Sequence, residues 1–337
     1  MKNSVVMVTG GAGFVGSHLV ETLLANNNEV YVFDVVPIEK ANNLKEVRNH
    51  EKLHYFVGDL RKQEDIQAFW QEDATAIYHL ASVVGINHYI DDPLKLVDIV
   101  VIGTRHILAE AAKSNTKVIF TSTSEVYGKN PEVPWAEDGD RVLGPTYVDR
   151  WSYSTGKAVC EHMLYGMYKQ SGLPFVIVRF FNVYGPRQSP NFVVSQSINK
   201  VLRDEQPLLY DDGKMTRCFT YVDDIVKGLI LAAVTEEAVG EAINLGNSVE
   251  VTVKDVIETV LSTAQSDIGY KQFITSEEYG KQYEDIIRRI PKVDKAEEIL
   301  GWKSEIQLEE GISKTIGWAK ANPWWVGKSL DEVAEVK

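Results

Sequence analysis

A glycine-rich turn near the start of the chain constrains its fold more than any other feature. In TGGAGFVGSH, Gly10, Gly13 and Gly16 recur at every third position, directly after the β-branched run SVVMVT. Glycine lets the backbone turn tightly and come close to a pyrophosphate, while the free N–H groups of a helix N-terminus attract that group. The segment therefore predicts a strand, a phosphate-binding turn and a helix. Apolar residues at helical spacing support the helix: Phe14, Val15, Leu19, Leu23 and Leu24.

A carboxylate follows the glycine turn at an informative distance. The next strand, EVYVFDVV, carries Asp34 about twenty residues beyond the turn. A carboxylate at that place accepts hydrogen bonds from the adenosine ribose hydroxyls and repels a 2′-phosphate. Together the two features predict a dinucleotide site that prefers NAD to NADP.

Strand-like and helical segments alternate along the first half of the chain. The apolar runs KLHYFVGDL, AIYHLAS, KVIFTSTS and PFVIVRFFNVYGP are separated by helical segments such as GTRHILAEAAKSN. Continuous apolar strands that alternate with helices predict a parallel sheet covered on both faces. We therefore expect an α/β protein with a Rossmann-type doubly wound sheet. Beyond residue 185, the turn-rich segments GPRQSPN and DEQPLLYDDGKMTR predict a smaller mixed C-terminal lobe.

The composition argues against several classes of function. A net charge of −13 does not suit a nucleic-acid-binding protein, since phosphate neutralisation needs clustered Lys and Arg. No apolar run approaches the roughly 20 residues that span a bilayer, and MKNSVVMVTGGAGF lacks the small-residue cleavage site of a signal peptide. Cys160 and Cys218 lie far apart, without the spacing of a metal site or a disulfide framework. We expect a cytoplasmic protein with no metal and no nucleic-acid or membrane partner.

Tyr153 and Lys157 in YSTGK lie four residues apart, so a helix places both side chains on one face. A phenol beside an ammonium is suited to proton transfer, because the positive charge favours the phenolate. The same spacing also occurs in helices that carry no catalytic group. This short segment alone leaves both interpretations open.

Four further motifs accompany this pair: GDL at 58–60, HLAS at 79–82, STSEVYG at 122–128 and RFFNVYGPR at 179–187. With them the chain resembles the extended short-chain dehydrogenase/reductase family that modifies nucleotide sugars. The resemblance extends from the first strand to LGW at 300–302 and implies that Tyr153 and Lys157 are the catalytic pair. It also implies that the Thr123 hydroxyl shares the proton with the sugar C4 oxygen, and that Lys157 binds the nicotinamide ribose.

The resemblance implies binding roles for other positions and a division of the chain. Residues 1–180 with roughly 219–247 are expected to form an NAD-binding Rossmann domain, and residues 181–218 with 248–330 a nucleotide-sugar-binding lobe. Asp59 and Leu60 are expected at the adenine. The full set of implied NAD-binding residues is Gly10, Gly13, Phe14, Val15, Gly16, Asp34, Asp59, Leu60, Leu80, Ala81, Ser82, Ser122, Tyr153 and Lys157. The implied nucleotide-sugar-binding residues are Tyr89, Asn182, Gln196, Arg217 and Arg289.

The residues expected beside C5 and C6 of the sugar decide which reaction follows formation of a 4-ketone. Glu125 suits the base that removes the C5 proton in a 4,6-dehydratase, although the commonest dehydratase motif has Asp where this chain has Ser124. We therefore predict an NAD-dependent 4,6-dehydratase that converts UDP-N-acetylglucosamine, or a related UDP-hexose, into a 4-keto-6-deoxy sugar. Its catalytic residues are expected to be Thr123, Ser124, Glu125, Tyr153 and Lys157.

Three alternatives to dehydration stay open. UDP-glucuronate decarboxylases also have Thr-Ser-Glu, but carry a Ser/Thr-Pro pair where this chain has Gly85 and Ile86. A UDP-sugar 4-epimerase needs only oxidation and reduction at C4. An NAD-binding regulator is the non-enzyme alternative, which the presence of Thr123, Tyr153 and Lys157 opposes.

The resemblance also implies an assembly. Helices that begin near Asp91 and Tyr153 carry apolar stripes, and in this family they pair with the same helices of a second subunit. We therefore expect a homodimer held by a four-helix bundle. A further position departs from the family pattern, since Val100 in VVIGT stands where the family often has Asn.

Overall fold

The computed structural model describes residues 1–83, 92–275 and 286–327. Its centre is a seven-stranded sheet in the order β11-β6-β5-β4-β1-β2-β3, in which every neighbouring pair is parallel. These strands are β1 (Val5–Thr9), β2 (Glu29–Asp34), β3 (Leu53–Val57), β4 (Ala76–His79), β5 (Lys117–Thr123), β6 (Phe175–Phe180) and β11 (Ala242–Leu245). The order reverses between β1 and β4, which is where sheets of this type bind ligands beyond the carboxyl ends of the strands. The predicted doubly wound sheet is confirmed.

Helices cover both faces of this sheet. They are α1 (Phe14–Ala25), α2 (Gln63–Phe69), α3 (Pro93–Val97), α4 (Gly103–Ser114), α5 (Arg150–Ser171), α6 (Val193–Val201), α7 (Val222–Val234), α8 (Val253–Ala264), α9 (Asp294–Leu300), α10 (Leu308–Ala321) and α11 (Pro323–Val326). Alternate residues of β1 point to opposite faces, so Val6 and Val8 pack with α1 and α7 while Met7 packs with α4 and α5. Within the described ranges, no helix combines the length and the apolar character needed to cross a membrane.

A smaller mixed lobe follows β6, as predicted. Its strands are β7 (Val183–Tyr184), β8 (Leu208–Tyr210), β9 (Thr216–Cys218), β10 (Thr220–Tyr221), β12 (Glu250–Thr252), β13 (Lys271–Phe273) and β14 (Arg288–Arg289). In one small sheet β9 lies between antiparallel β12 and parallel β14. Because β11 lies between these segments in sequence but belongs to the large sheet, the chain crosses between the two parts more than once. The exact domain boundaries stay a prediction.

The helical segment that contains Val100 is not regular. A π-helical turn, Asp98–Ile102, joins α3 to α4 and adds one residue to the usual turn. The Val100 carbonyl accepts hydrogen bonds from the Thr104 hydroxyl at 2.5 Å and from the Cys160 thiol at 3.2 Å. The position where the family often has Asn therefore contributes a backbone oxygen to the interior beneath α5.

Candidate active site

The glycine turn has the backbone geometry that a dinucleotide site needs. Gly10 has a φ of +73°, and a Cβ on it would lie 2.8 Å from the backbone of Ala81 at the end of β4. A Cβ on Gly16 would collide with the Gly10 carbonyl oxygen. Helix α1 starts at Phe14 without a side-chain cap, and the first N–H groups of a helix have no acceptor within it. The turn therefore lets a diphosphate come close to the backbone and leaves free N–H groups to bind it.

Asp34 lies at the end of β2, as predicted, and is buried. Its carboxylate accepts the N–H of Ala12 at 2.9 Å and that of Val36 at 3.1 Å. Burial raises the pKa of Asp34, and these backbone hydrogen bonds act against the rise. The carboxylate is thereby fixed against the glycine turn, where ribose hydroxyls are expected.

The expected adenine and ribose residues line the neighbouring strand ends. Arg61 holds the carboxylate of Asp59 with two nitrogens, at 3.0 and 2.5 Å, and its hydrogen bond is the main cause of the lowered pKa of Asp59. Leu60 is buried in close contact with Gly103. The N–H of Leu80 binds the Thr9 carbonyl at 3.2 Å, which places residues 80–82 beside the glycine turn.

The Tyr153–Lys157 pair lies on α5 against the carboxyl end of β5. Lys157 donates a hydrogen bond of 2.8 Å to the Thr121 carbonyl, and its ammonium lies 4.7 Å from the centre of the Phe120 ring. Both members of the pair are buried. Burial lowers the pKa of Lys157 to about 8. Burial also raises the pKa of Tyr153, and the Ser82 hydroxyl beside it works in the opposite direction.

Ser122 lies near the carboxyl end of β5 and has a hydrogen-bond partner inside the protein. Its hydroxyl donates a hydrogen bond of 2.5 Å to the Glu161 carboxylate, inside the protein and beneath α5. Ser122 is almost fully buried. The structure thus gives it a structural partner, and a direct contact with NAD stays a prediction.

Thr123 and Ser124 begin a short 3₁₀ turn, Ser124–Tyr127, directly after β5. The Thr123 hydroxyl accepts the N–H of Glu125 at 3.2 Å and so caps this turn. The Ser124 hydroxyl is buried and has no hydrogen-bond partner within the described residues. These contacts place Thr123, Ser124 and Glu125 in one compact turn, at the end of the sheet where Tyr153 also lies.

Glu125 lies between arginines from different parts of the chain. One of its oxygens, Oε1, accepts a hydrogen bond of 2.7 Å from Arg289 and one of 3.1 Å from Arg150. Burial alone raises the pKa of Glu125, but the charges of Arg150, Arg289 and Arg217 outweigh it and lower the pKa to about 2. The other oxygen, Oε2, is buried and without a hydrogen-bond partner in the described part of the chain. Glu125 is therefore held as a carboxylate at neutral pH.

Arg150 is a functional candidate that sequence reasoning missed. It opens α5, three residues before Tyr153, and therefore lies one turn from the predicted catalytic pair. A cation in the first turn of a helix is opposed by the helix dipole. This unfavourable placement is the one sequence signal that could have singled out Arg150.

The predicted nucleotide-sugar residues fall into three groups. Arg217 on β9 and Arg289 on β14 are register partners in the small sheet, and both are buried. Gln196 on α6 binds the Tyr210 hydroxyl at 3.1 Å, and the buried carbonyl oxygen of the Asn182 side chain has no partner among the described residues. Tyr89 lies outside the described residues. The structure thus brings Arg217 and Arg289 to Glu125 and leaves the other roles as predictions.

Comparison with known proteins agrees with this geometry. The family model described as GDP-mannose 4,6 dehydratase matches residues 7–315. A UDP-N-acetyl-alpha-D-glucosaminuronate decarboxylase from Bacillus cytotoxicus is 37% identical over 317 residues, which cover 93% of this chain and 96% of that protein.

Two solved structures show similar folds. A UDP-N-acetylglucosamine 4-epimerase from Methanobrevibacter ruminantium, in complex with UDP-N-acetylmuramic acid, has a TM-score of 0.83 and 30% identity over 95% of this chain and 99% of that one. A dTDP-glucose 4,6-dehydratase from Streptomyces venezuelae with NAD bound has a TM-score of 0.85 and 26% identity over 95% and 98%. Decarboxylation, epimerisation and dehydration are thus all represented among similar proteins.

Proposed function

Because this chain belongs to the GDP-mannose 4,6 dehydratase family of extended short-chain dehydrogenases/reductases, we propose that it is an NAD-dependent decarboxylase of a nucleoside-diphosphate uronate. The first candidate substrate is UDP-N-acetylglucosaminuronate, since the decarboxylase from Bacillus cytotoxicus is named for that sugar. The proposal differs from the dehydratase that the sequence favours and takes up one of its alternatives.

The ion pairs of Glu125 with Arg289 and Arg150 carry this proposal. A dehydratase needs a base to remove the C5 proton, and a carboxylate with a pKa of about 2 accepts protons poorly at neutral pH. A 4-keto uronate needs no such base. Its C5–C6 bond breaks as carbon dioxide leaves, and the bonding electrons move onto the 4-ketone. Decarboxylation therefore asks less of Glu125 as a base than dehydration does.

The surroundings of Glu125 also suit an anionic sugar. Arg150, Arg289 and Arg217 all act on this one carboxylate, and all three guanidinium side chains are largely buried. Buried guanidinium groups recognise carboxylates and phosphates well, because their planar donors match two oxygens at once. A uronate carries its carboxylate at C6, whereas a simple hexose carries a neutral hydroxyl there.

The remaining residues account for the proton transfers at C4. NAD, when bound, accepts the hydride from C4 and later returns it. The glycine turn and Asp34 fit the dinucleotide, because the close approach at Gly10 leaves no room for a side chain. Tyr153 takes the proton of the C4 hydroxyl while the Lys157 ammonium stabilises the phenolate, and Tyr153 gives the proton back when the ketone is reduced.

After carbon dioxide leaves, C5 needs a proton. The Ser124 hydroxyl is buried next to Glu125 and is available to relay one from solvent. The net reaction exchanges the C6 carboxylate for a hydrogen on C5 and regenerates NAD.

Mass spectrometry of product mixtures tests the proposal directly. Purified protein with NAD is incubated separately with UDP-N-acetylglucosaminuronate, UDP-glucuronate and UDP-N-acetylglucosamine. We expect loss of carbon dioxide from a uronate and no change in mass of the neutral sugar. Loss of water from UDP-N-acetylglucosamine would restore the dehydratase prediction, and a new sugar of unchanged mass would indicate an epimerase.

Two adjacent arginines provide a matched pair of variants. Arg289 faces Glu125, whereas Arg288 is half exposed and pairs with Glu250 at 2.8 Å. We expect Arg289→Met to lower kcat/KM for the uronate by more than about tenfold, a loss of roughly 1.4 kcal/mol of transition-state binding, because an anion-recognising group is lost. Arg288→Met is expected to keep kcat/KM for the uronate within about twofold of the wild-type value, since surface ion pairs contribute little. Equal effects of both substitutions on kcat/KM would contradict the assignment.

A further inference from the structure

A buried ion pair lies directly beneath the catalytic helix. Arg179 on β6 holds the Glu161 carboxylate of α5 with two hydrogen bonds, of 3.0 Å from Nε and 2.7 Å from Nη2. The Ser122 hydroxyl binds the same carboxylate at 2.5 Å, and both charged side chains are more than nine-tenths buried. Buried ion pairs add little net stability, because desolvation offsets the attraction between the charges. The main effect of this pair is that it fixes a negative charge at this place in the interior.

The fixed charge lies close to Lys157. Glu161 follows Lys157 by four residues on α5, so the two side chains share one face of the helix. Both are also anchored on β5, since Lys157 binds the Thr121 carbonyl and Glu161 binds the hydroxyl of Ser122. Arg179 prevents the Glu161 carboxylate from turning away. The position of the Glu161 carboxylate relative to the Lys157 ammonium is therefore fixed.

Three other titratable groups near Lys157 are neutral at working pH. On β4, burial and the Lys157 charge lower the pKa of His79 to about 3, so this imidazole is uncharged. On α5, burial raises the pKa of the Cys160 thiol and that of the Tyr153 phenol. Cys160 and Glu161 both oppose the effect of burial on the pKa of Lys157, and of these two Glu161 is the carboxylate.

We propose that Glu161 is a positioning residue of the catalytic centre: its carboxylate, held by Arg179 and Ser122, keeps the Lys157 ammonium charged beside Tyr153. The inference deepens the proposed function, because the Tyr153–Lys157 pair performs the C4 proton transfer. It does not depend on which sugar is the substrate, since oxidation at C4 is common to the decarboxylase, dehydratase and epimerase alternatives.

The direct test is an NMR titration of Lys157 in the whole protein, with lysine labelled at the side chain and the Lys157 signal assigned from Lys157→Arg. We expect Glu161→Gln to lower the pKa of Lys157 by about one pH unit, the low end of what a nearby opposite charge produces. The matched control is Glu21→Gln. Glu21 forms a similar two-bond ion pair with Arg187, at 2.7 and 2.8 Å, but lies on α1 at the opposite face of the sheet. This control is expected to leave the pKa of Lys157 unchanged.

A second variant covers the case in which an unpaired buried guanidinium prevents folding. Glu161→Gln combined with Arg179→Met removes both charges, a change that buried ion pairs often tolerate. A downward shift is again expected, smaller than in Glu161→Gln alone, because the Arg179 cation that partly offsets the anion is removed with it. An unchanged Lys157 pKa in either folded variant would overturn the proposal.

A kinetic measurement then links the charge to function. The alkaline limb of the pH–rate profile, where Lys157 loses its proton, should move down by the same amount in Glu161→Gln. A lower rate with an unmoved limb would indicate a merely structural role and would also overturn the proposal. The NMR titration needs no substrate, so a wrong choice of uronate leaves this inference separately testable.

Discussion

At the scale of single residues, Glu125 shows how neighbours can reverse the effect of burial on a pKa. A buried glutamate is ordinarily a good candidate base, because burial raises its pKa. Here guanidinium charges outweigh burial and lower the pKa to about 2. The structure therefore shows Glu125 as a carboxylate paired with arginines, and its part in the reaction stays a prediction.

The same shift predicts a pH dependence of stability. The pKa of Glu125 is about 2 in the folded protein, against an ordinary value of 4.5. Ionised Glu125 therefore stabilises the fold fully above pH 4.5, and this contribution, on the order of 3 kcal/mol, is lost as the pH falls towards 2. Urea unfolding of wild type and Glu125→Gln should show a difference in the free energy of unfolding that narrows between pH 5 and 3. A difference that stays constant with pH would contradict the shifted pKa.

Spacing along the chain explains which residues of the site could be predicted. Tyr153 and Lys157 are four positions apart on one helix, and the glycines lie within one turn, so local periodicity indicates both groups. Glu125 meets Arg150 from 25 positions away and Arg289 from 164. No periodic pattern encodes such contacts. The sequence motifs therefore located Glu125 and Arg289, but not the pairing that fixes the charge of Glu125.

At the scale of elements, the start of α1 is tightly constrained, because a Cβ on Gly16 would collide with the Gly10 carbonyl oxygen. Gly16→Ala should abolish NAD binding, measured by calorimetry, because the new methyl group collides with the Gly10 carbonyl and pushes the turn out of shape. Gly317→Ala is the matched control in the middle of α10, where a Cβ meets nothing within 4 Å. It should retain NAD binding and raise the free energy of unfolding by roughly 0.5–1 kcal/mol, the usual gain from removing a helical glycine. Normal NAD binding by Gly16→Ala would contradict this account.

The π-helical turn illustrates a limit of prediction at the same scale. An apolar stripe repeats every three or four residues, and one added residue falls within the scatter of that pattern. The sequence accordingly indicated helices on both sides of Val100 and gave no sign of the irregular turn between them. The carbonyl that this turn presents to Thr104 and Cys160 belongs to the backbone, which residue identities describe only indirectly.

At the scale of the whole molecule, alternation of strands and helices was enough to predict the architecture. The doubly wound parallel sheet, the smaller mixed lobe and membership of the nucleotide-sugar family are confirmed. The division of the lobe into small sheets was not foreseen, because strands of two or three residues are too short to show a period. The choice among decarboxylation, dehydration and epimerisation depends on the charges of the side chains in the site. Neither the fold nor the family determines this choice.

Exposed apolar side chains lie on the two helices that are expected to pair in the predicted homodimer. Leu94 on α3 is 77% exposed and Val159 on α5 is 38% exposed. If these helices pair with a second copy, light scattering should give about twice the 37.8 kDa of one chain. Leu94→Glu with Val159→Glu should then give the monomer mass, while Val234→Glu, an equally apolar exposed site at the end of α7, should not. A wild-type monomer would exclude the dimer.

The order in which parts of the site occur along the chain has a consequence during synthesis. The glycine turn, Asp34 and the Tyr153–Lys157 helix are translated first, but β11 joins the edge of the main sheet only after residue 245. Arg289 follows about forty residues later still, and domains generally fold as they emerge, N-terminal parts first. A chain still attached to the ribosome can therefore assemble its nucleotide-binding surface well before Arg289 reaches Glu125. The Glu125 site is thus completed late in translation, after all seven strands of the main sheet have been made.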